Sequence, residues 1–255
     1  MDTEGCCIMD FDFSNKVAIA TGAGSGMAKL YLENLAELGA ISIFVDINVE
    51  AAESAASELR AKGLKAYAYA ADIRKHTEVT AVVDDVIAKY GRIDYLLNSA
   101  GGASARVCKQ PAFPYCSFES IEWGVDVNLK GAIFFSKAVM VHMIEQKSGV
   151  IINMSSIDGI TGSRGSVDYG AEKAGMVGLT KGLAIVGAPY GIRSVSVAPG
   201  PVLTRESMSK MKTLLGRAAE VQEVVDLLVF LSSSKADFIT GCNYQIDGGR
   251  ACMVG

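Results

Sequence analysis

The chain predicts a single-domain α/β fold in which a mostly parallel sheet is covered by helices on both faces. Three observations carry this. Seven short apolar runs of strand length recur along the sequence, and stretches with helical spacing of apolar residues separate them. Strands that stay apolar without alternation are those buried on both faces, and the βα rhythm places them parallel. No Pro/Ser-rich linker and no repeat of 20–50 residues interrupts the 255 residues, a length that suits one α/β domain.

The elements follow in order. Residues 1–13 show no period and read as a flexible leader, so the folded domain is expected over 14–255. Val17-Ala18-Ile19-Ala20 is a first strand. It runs into Thr21-Gly22-Ala23-Gly24-Ser25-Gly26, after which Met27, Leu30, Leu35 and Leu38 have helical spacing up to Gly39. Ile41 to Val45 is a second strand, closed by Asp46, and a helix follows to about Arg60. Ala66 to Ala70 is a third, with Asp72 just beyond it. The pulse continues with a helix over 77–89, a strand from Ile93 to Leu97, a helix over 120–145 and a strand over 150–154. A long helix around Tyr169, a strand from Ile192 to Val197, a helix over 220–231 and a last strand at 243–246 complete it.

Two intervals depart from the rhythm. Residues 102–119 hold two of the five prolines and two of the six cysteines, lack a helical period, and read as a long loop of the kind that carries function. Residues 203–219 place Met208, Met211, Leu214 and Leu215 at helical spacing among Arg205, Lys210 and Lys212, which predicts an amphipathic lid over a pocket or a plain packed helix.

Composition excludes several classes of function. A net charge of −4 and the absence of any long basic run argue against a nucleic-acid footprint. Cys6, Cys7, Cys108, Cys116, Cys242 and Cys252 form no CxxC pair, and with only His76 and His142 available no metal site is expected. Reduced thiols, an acidic N-terminus unlike a secretory signal, and short apolar runs predict a cytoplasmic protein with no membrane span.

The chemistry-bearing residues cluster at strand ends. The glycine turn 22–26 joins a strand to a helix, where small residues let backbone approach a phosphate and the helix N-terminus presents free N–H groups. Asp46 stands twenty residues after Gly26 at the end of the next strand, where a carboxylate can accept from a ribose 2′-hydroxyl and would repel a 2′-phosphate. No Arg or Lys stands in the glycine turn or directly after Asp46, so NAD is expected over NADP. Tyr169 and Lys173 are four residues apart and share one face of a helix, where an ammonium favours the phenolate and makes Tyr169 a general acid/base. A hydroxyl of the Ser155-Ser156 pair can polarise the same substrate oxygen.

Together, TGAGSGM at 21–27, Asp72-Ile73, Asn98-Ser99-Ala100-Gly101, Asn128 in VNLKG, Ser156, Tyr169, Lys173, Pro199-Gly200 and the closing Ile246-Asp247-Gly248-Gly249 resemble the short-chain dehydrogenase/reductase family. The resemblance spans about residues 14–250. It implies a Rossmann-like sheet of seven parallel strands, NAD(P) as hydride carrier, and a homodimer or homotetramer. It also implies a catalytic set of Asn128, Ser156, Tyr169 and Lys173, the serine standing thirteen positions before the tyrosine. The implied cofactor contacts are Gly22, Ser25, Gly26, Met27, Asp46, Ile47, Asp72, Ile73, Asn98, Ala100, Gly101, Tyr169, Lys173, Pro199, Gly200, Val202 and Thr204. Asp72 would meet the adenine amine, Asn98 to Gly101 the adenine-ribose side, Pro199 to Val202 the nicotinamide amide, and Asn128 a water beside Lys173. Three departures stand out: Ala28 replaces the last glycine of the family's turn, loop 102–119 is longer than the family's, and segment 203–219 is shorter.

The expected activity is hydride transfer between NAD and a secondary alcohol or ketone of polyol, hydroxysteroid or hydroxyacyl type. The alternatives are an NADP-dependent reductase such as a 3-oxoacyl reductase, and a non-catalytic NAD-binding sensor or scaffold.

Overall fold

The computed structural model describes residues 11–253. Seven strands form one sheet in the order β3-β2-β1-β4-β5-β6-β7, and every pairing is parallel. The strands are β1 (Val17–Thr21), β2 (Ile41–Asp46), β3 (Ala66–Ala70), β4 (Tyr95–Asn98), β5 (Gly149–Met154), β6 (Ile192–Pro199) and β7 (Asn243–Ile246). The long helices are α1 (Gly26–Glu37), α2 (Val49–Ala61), α3 (His76–Tyr90), α5 (Phe118–Val125), α6 (Gly131–Gln146), α8 (Val167–Gly187) and α9 (Val221–Ser232). Two single-turn helices, α4 (Ser104–Val107) and α7 (Asp158–Thr161), stand at the loop ends of β4 and β5.

Each strand feeds two cores because successive side chains leave opposite faces of the sheet. In β1, Ala18 and Ala20 enter the core under α1, α2 and α9, whereas Val17 and Ile19 enter the core under α3 and α6. Phe44 of β2 joins the first, and Ile43 and Val45 the second. The first core is closed by Leu32, Leu35, Leu59 and Leu228, the second by Val79, Val83, Phe135 and Met143. This two-sided burial accounts for the unbroken apolar character of the strand sequences. Ala28 sits in the first core at 1% exposure, so the methyl that replaces a glycine is accommodated between α1 and the sheet.

Four expectations are modified. The leader lies mostly outside the described residues, but its last residue is not free: Phe13 is 1% exposed and meets the Tyr95 ring edge-on at 5.4 Å, and its N–H donates to the Leu38 carbonyl. The single helix expected over 120–145 is interrupted by a π-helical turn, Asp126–Lys130, between α5 and α6. That turn rotates Asn128 inward to 0% exposure. The stretch Phe118–Gln146 has the length and hydropathy of a membrane span, yet Phe135, Val139 and Met143 on it are core residues of the sheet's second face. Loop 102–119 contains α4, which the residue pattern did not show.

The segment 203–219 is folded, but not as one amphipathic helix. It contains a single 3₁₀ stretch, Glu206–Lys210, and is clasped at its base by the Val202–Ala219 bridge. Leu214 and Leu215 remain exposed, whereas Met208 and Met211 turn toward a cleft.

Candidate active site

The sheet's chain order reverses between β1 and β4, and the loops after the strands at this carboxyl edge open a crevice, the usual place for a ligand in such folds. The glycine turn borders it. Gly22 and Gly26 have φ of +68° and +64°, which L side chains rarely adopt, and a Cβ on Gly22 would lie 2.8 Å from the Ala100 Cα. The turn and the segment after β4 are held together because the Thr21 hydroxyl oxygen accepts from the N–H groups of Ser99 and Ala100, both at 3.1 Å. Ser25 caps α1 without a side-chain hydrogen bond, and beyond Gly26 there is open space apart from a Thr204 methyl 3.9 Å from an added Cβ. This is a cradle with free N–H groups at the positive end of a twelve-residue helix, and a phosphate fits it.

Asp46 is locked to that turn. Its Oδ2 accepts from the Gly24 N–H and its Oδ1 from the Asn48 N–H, each at 2.8 Å, while Ile47 beside it is 68% exposed. Asp46 forms no ion pair among the described residues. Its carboxyl group is therefore oriented beside the turn, with further lone pairs available.

Two of the expected cofactor contacts are otherwise engaged. The Asp72 carboxylate takes the fork of Arg74, at 2.8 Å from Nε and 2.7 Å from Nη2, which holds it below the ordinary carboxylate range. The Arg74 fork occupies both Asp72 oxygens in part, and Ile73 beside it is a core residue packed on Gly131. Asn98 is 3% exposed, and its Nδ2 donates to Ser136 Oγ and Asn153 Oδ1 at 3.0 and 2.8 Å. Its side chain ties β4 to β5 and α6 and does not line the cleft at Tyr169. Only the turn that follows it, with Ser99 and Gly101, borders the cleft.

The cleft itself encloses about 440 Å³. Met27, Gly101, Ser156, Tyr169, Lys173, Pro199, Gly200, Val202 and Thr204 line it, so residues from five separate parts of the chain meet there. Both serines of the pair line the cleft, and the Ser156 hydroxyl accepts from the Asp158 N–H at 3.2 Å. The Ser155 hydroxyl instead donates to the Lys173 carbonyl at 2.8 Å and braces α8 from within.

Tyr169 and Lys173 share a face of α8, as their spacing predicts. Burial pushes the Tyr169 phenol up to about 12, only partly opposed by the Ser156 hydroxyl. The expected lowering by Lys173 is not what the protein alone displays. The Lys173 ammonium lies 5.7 Å from the ring centre, is 3% exposed, and donates to the Met154 carbonyl at 2.8 Å. Burial pulls it down to about 8, so desolvation dominates both groups. Tyr169 thus holds its proton at neutral pH.

Asn128 packs behind this pair. Its Oδ1 accepts from the Gly102 N–H at 2.9 Å, and its Nδ2 donates to the Gly102 carbonyl at 3.0 Å and to Glu172 Oε2 at 2.7 Å. Gly101 has no room for a side chain, since a Cβ would fall 2.3 Å from Asn128 Oδ1 and 3.4 Å from Lys173 Nζ.

Glu172 was not anticipated. It is 3% exposed, its Oε1 has no hydrogen-bond partner among the described residues, and a Cβ on Gly124 would clash with that oxygen. Burial and the Asp168 charge raise its carboxyl to about 7. The one signal in the sequence was an acid immediately before Lys173, four residues after another acid, Asp168, on the same helix face. Arg106 of α4 also lines the cleft, and the neighbouring Ser104 hydroxyl donates to Asp168 at the start of α8, which fastens loop 102–119 to the helix of Tyr169. Among the described residues no group of three or more His, Cys, Asp or Glu is disposed to hold a metal.

The comparisons with known proteins agree with this geometry. Residues 16–215 match the family model described as short chain dehydrogenase. The chain is 34% identical over 244 residues to a 3-oxoacyl-[acyl-carrier-protein] reductase of Thermotoga maritima, covering 92% of this chain and 97% of that one. It is 35% identical over 256 residues to a meso-2,3-butanediol dehydrogenase of Serratia marcescens, covering 95% and 97%. The crystal structure of an NAD⁺-bound xylitol dehydrogenase superposes with a TM-score of 0.85 at 29% identity, covering 93% of this chain and 99% of that one. The chain therefore belongs to the short-chain dehydrogenase/reductase family, whose members are oxidoreductases acting on CH–OH and C=O groups.

Proposed function

We propose that this protein is an NAD-dependent dehydrogenase that interconverts a secondary alcohol and a ketone. The observation that supports it most is the convergence of Ser156, Tyr169 and Lys173 in one cleft that abuts the phosphate-sized cradle at Gly22–Gly26. When bound, NAD would supply the hydride acceptor, or NADH the donor. The turn 22–26 and the first turn of α1 would hold the phosphates, the fixed Asp46 carboxylate a ribose hydroxyl, and Pro199 to Thr204 the nicotinamide end.

The chain's own groups manage the proton. Ser156 orients the substrate oxygen. Tyr169 gives its proton to that oxygen in reduction and receives one in oxidation, so no full charge builds up unassisted. Lys173, held by the Met154 carbonyl, lies close enough to Tyr169 to favour the phenolate when a proton must be accepted. Asn128 holds the Gly102 backbone near Lys173, and in this reading it would support a water that passes the proton from Lys173 toward solvent.

NADP as the preferred cofactor is disfavoured by Asp46, whose charge is fixed beside the turn with no cation paired to it among the described residues. Initial rates with NAD and NADP across a panel of secondary alcohols test the cofactor; a strong NADP preference defeats it. Tyr169→Phe is expected to lower turnover by about 10²–10⁴-fold while changing NAD affinity little. Retained turnover would remove Tyr169 from the mechanism, and absence of NAD binding in calorimetry would favour a scaffold. The proposal includes a cytoplasmic location, in keeping with free thiols at Cys108, Cys116, Cys242 and Cys252. It also includes a homodimer or homotetramer, in keeping with exposed Ile133 and Val141 on α6 and Ile185 and Val186 on α8; a monomer mass in light scattering rejects that part.

A further inference from the structure

The cleft around Tyr169 is cationic although the chain carries a net charge of −4. Its lining holds Arg106, Arg205 and Lys173 against a single carboxylate, Asp158. Burial raises the Asp158 carboxyl and so weakens even that one negative charge, with Arg250 acting in the other direction. Lys173 is buried on the Met154 carbonyl. The two arginines differ from it: both are solvent-accessible at the mouth, and they approach from two different loops, Arg106 from α4 and Arg205 from the segment that follows β6.

Five of the other seven arginines are matched with acids among the described residues, and Arg164 and Arg250 are not. Arg60, Arg74, Arg92, Arg193 and Arg217 each pair with a carboxylate, at Glu53, Asp72, Asp94, Asp237 and Glu223. Among the described residues Arg106 and Arg205 pair with none. Arg205 uses one donor, Nε to the Ser207 hydroxyl at 3.1 Å, and the Arg106 Nη2 lies against Gly102, 2.6 Å from where a Cβ would stand. Burial, and then the charge of Arg106, press Arg205 below its ordinary range, and both guanidinium groups lie within electrostatic reach of the Tyr169 phenol. Two like charges turned on one small volume repel each other, and an anion between them relieves that repulsion and satisfies the free N–H groups. The planar fork of arginine matches a carboxylate in two parallel hydrogen bonds. Ile157, Met208 and Met211 give the rest of the cleft an apolar wall.

We propose that Arg106 and Arg205 form a carboxylate-binding rim of the substrate pocket, so that the substrate is a hydroxy or keto acid with an apolar body between its reacting carbon and its carboxylate. This rests on the dehydrogenase reading above and narrows its substrate class. The cofactor's own phosphates are the other anion that could meet these arginines. The rim reading is favoured because both arginines line the same cleft as Tyr169 and Ser156, whereas the phosphate cradle at Gly22–Gly26 is built of backbone N–H groups.

The test uses matched pairs: 3-hydroxybutyrate, 4-hydroxypentanoate and 7-hydroxyoctanoate, each beside its methyl ester, with the wild-type protein, Arg106→Gln and Arg205→Gln. The wild type is expected to turn over at least one acid with a kcat/KM about tenfold or more above that of its ester. Each variant is expected to bring the acid-to-ester ratio toward one by losing about 10–100-fold on the acid, the range for a charge-assisted hydrogen bond. NAD affinity should change less than about twofold. Equal use of acid and ester by the wild type overturns the proposal, as does a loss of NAD affinity in the variants with the acid-to-ester ratio unchanged. If no alcohol of either kind is oxidised, the dehydrogenase reading is what has failed. Calorimetric titration of the same acids and esters into the protein, wild type against variants, then decides the rim by itself: acid binding that the variants lose supports it, and no acid binding rejects it.

Discussion

Replacing Glu172 by glutamine isolates what a buried carboxylate next to Lys173 does to this protein. In the folded chain Glu172 is 3% exposed, with one oxygen on the Asn128 amide and the other unpartnered against Gly124. Burial first, and the Asp168 charge second, raise it to about 7 from 4.5, while Asn128 and the Lys173 ammonium pull it back. A shift of that size corresponds to about 3 kcal/mol. The sign follows from proton counting: between pH 4.5 and 7 the folded state retains a proton that the unfolded state has released, so stability falls as pH rises. Below pH 4.5 the contribution is fully present, and above pH 7 it is lost. Glutamine keeps an acceptor for Asn128 but places an unpartnered amide group against Gly124, a cost of about 1–3 kcal/mol at every pH. The diagnostic is therefore the pH dependence. Urea unfolding of both proteins at pH 4.5, 5.5, 6.5 and 7.5 should show the unfolding free energy of Glu172→Gln, relative to wild type, rising by about 3 kcal/mol across the series. Titrating groups that do not interact with Glu172, Asp158 among them, contribute to both proteins and cancel in the difference, whereas Asp168 and Lys173 are coupled to Glu172 and share in the pH-dependent change. A difference that stays constant with pH would refute the raised Glu172 carboxyl.

Two further perturbations test how the site is held. Phe13→Ala is expected to lower the unfolding free energy by about 3–5 kcal/mol in the same urea assay, because the ring is 1% exposed and packed on Tyr95; a loss under about 1 kcal/mol would show that this end of the leader is not part of the core. Gly22→Ala puts a methyl 2.8 Å from the Ala100 Cα at a φ of +68°. The left-handed conformation alone costs about 1–2 kcal/mol, and the turn must shift to clear the contact. A lower melting temperature together with weaker NAD binding in calorimetry is expected, and an unchanged NAD affinity would separate the turn from the cofactor.

Strand, turn and helix succession was legible in the chain because it depends on neighbours in sequence. Val17 to Gly26 reads as strand and glycine turn, and the stretch around Tyr169 as a long helix, whatever surrounds them. The same locality made the shared face of Tyr169 and Lys173 readable, since a spacing of four closes one helical turn. The orientation of Asn98 was not readable in this way. Its strand exposes it to one face or the other, and only the arrival of Asn153 on β5 and Ser136 on α6 provides partners that draw it inward. Asp72 likewise has a partner two residues away, Arg74, whose fork closes only once the turn after β3 is built.

The sequence by itself determined the α/β architecture, the glycine turn, and the family, because periodicity and short-range spacing are set by backbone geometry within a few residues. Tertiary structure alone decided which charges meet Tyr169. Lys173 is drawn by burial to the Met154 carbonyl, Glu172 is enclosed by Asn128 and Gly124, and Arg106 and Arg205 face one cleft from two different loops. Electrostatic energy depends on distance and desolvation, and both are properties of the packed chain and not of its order.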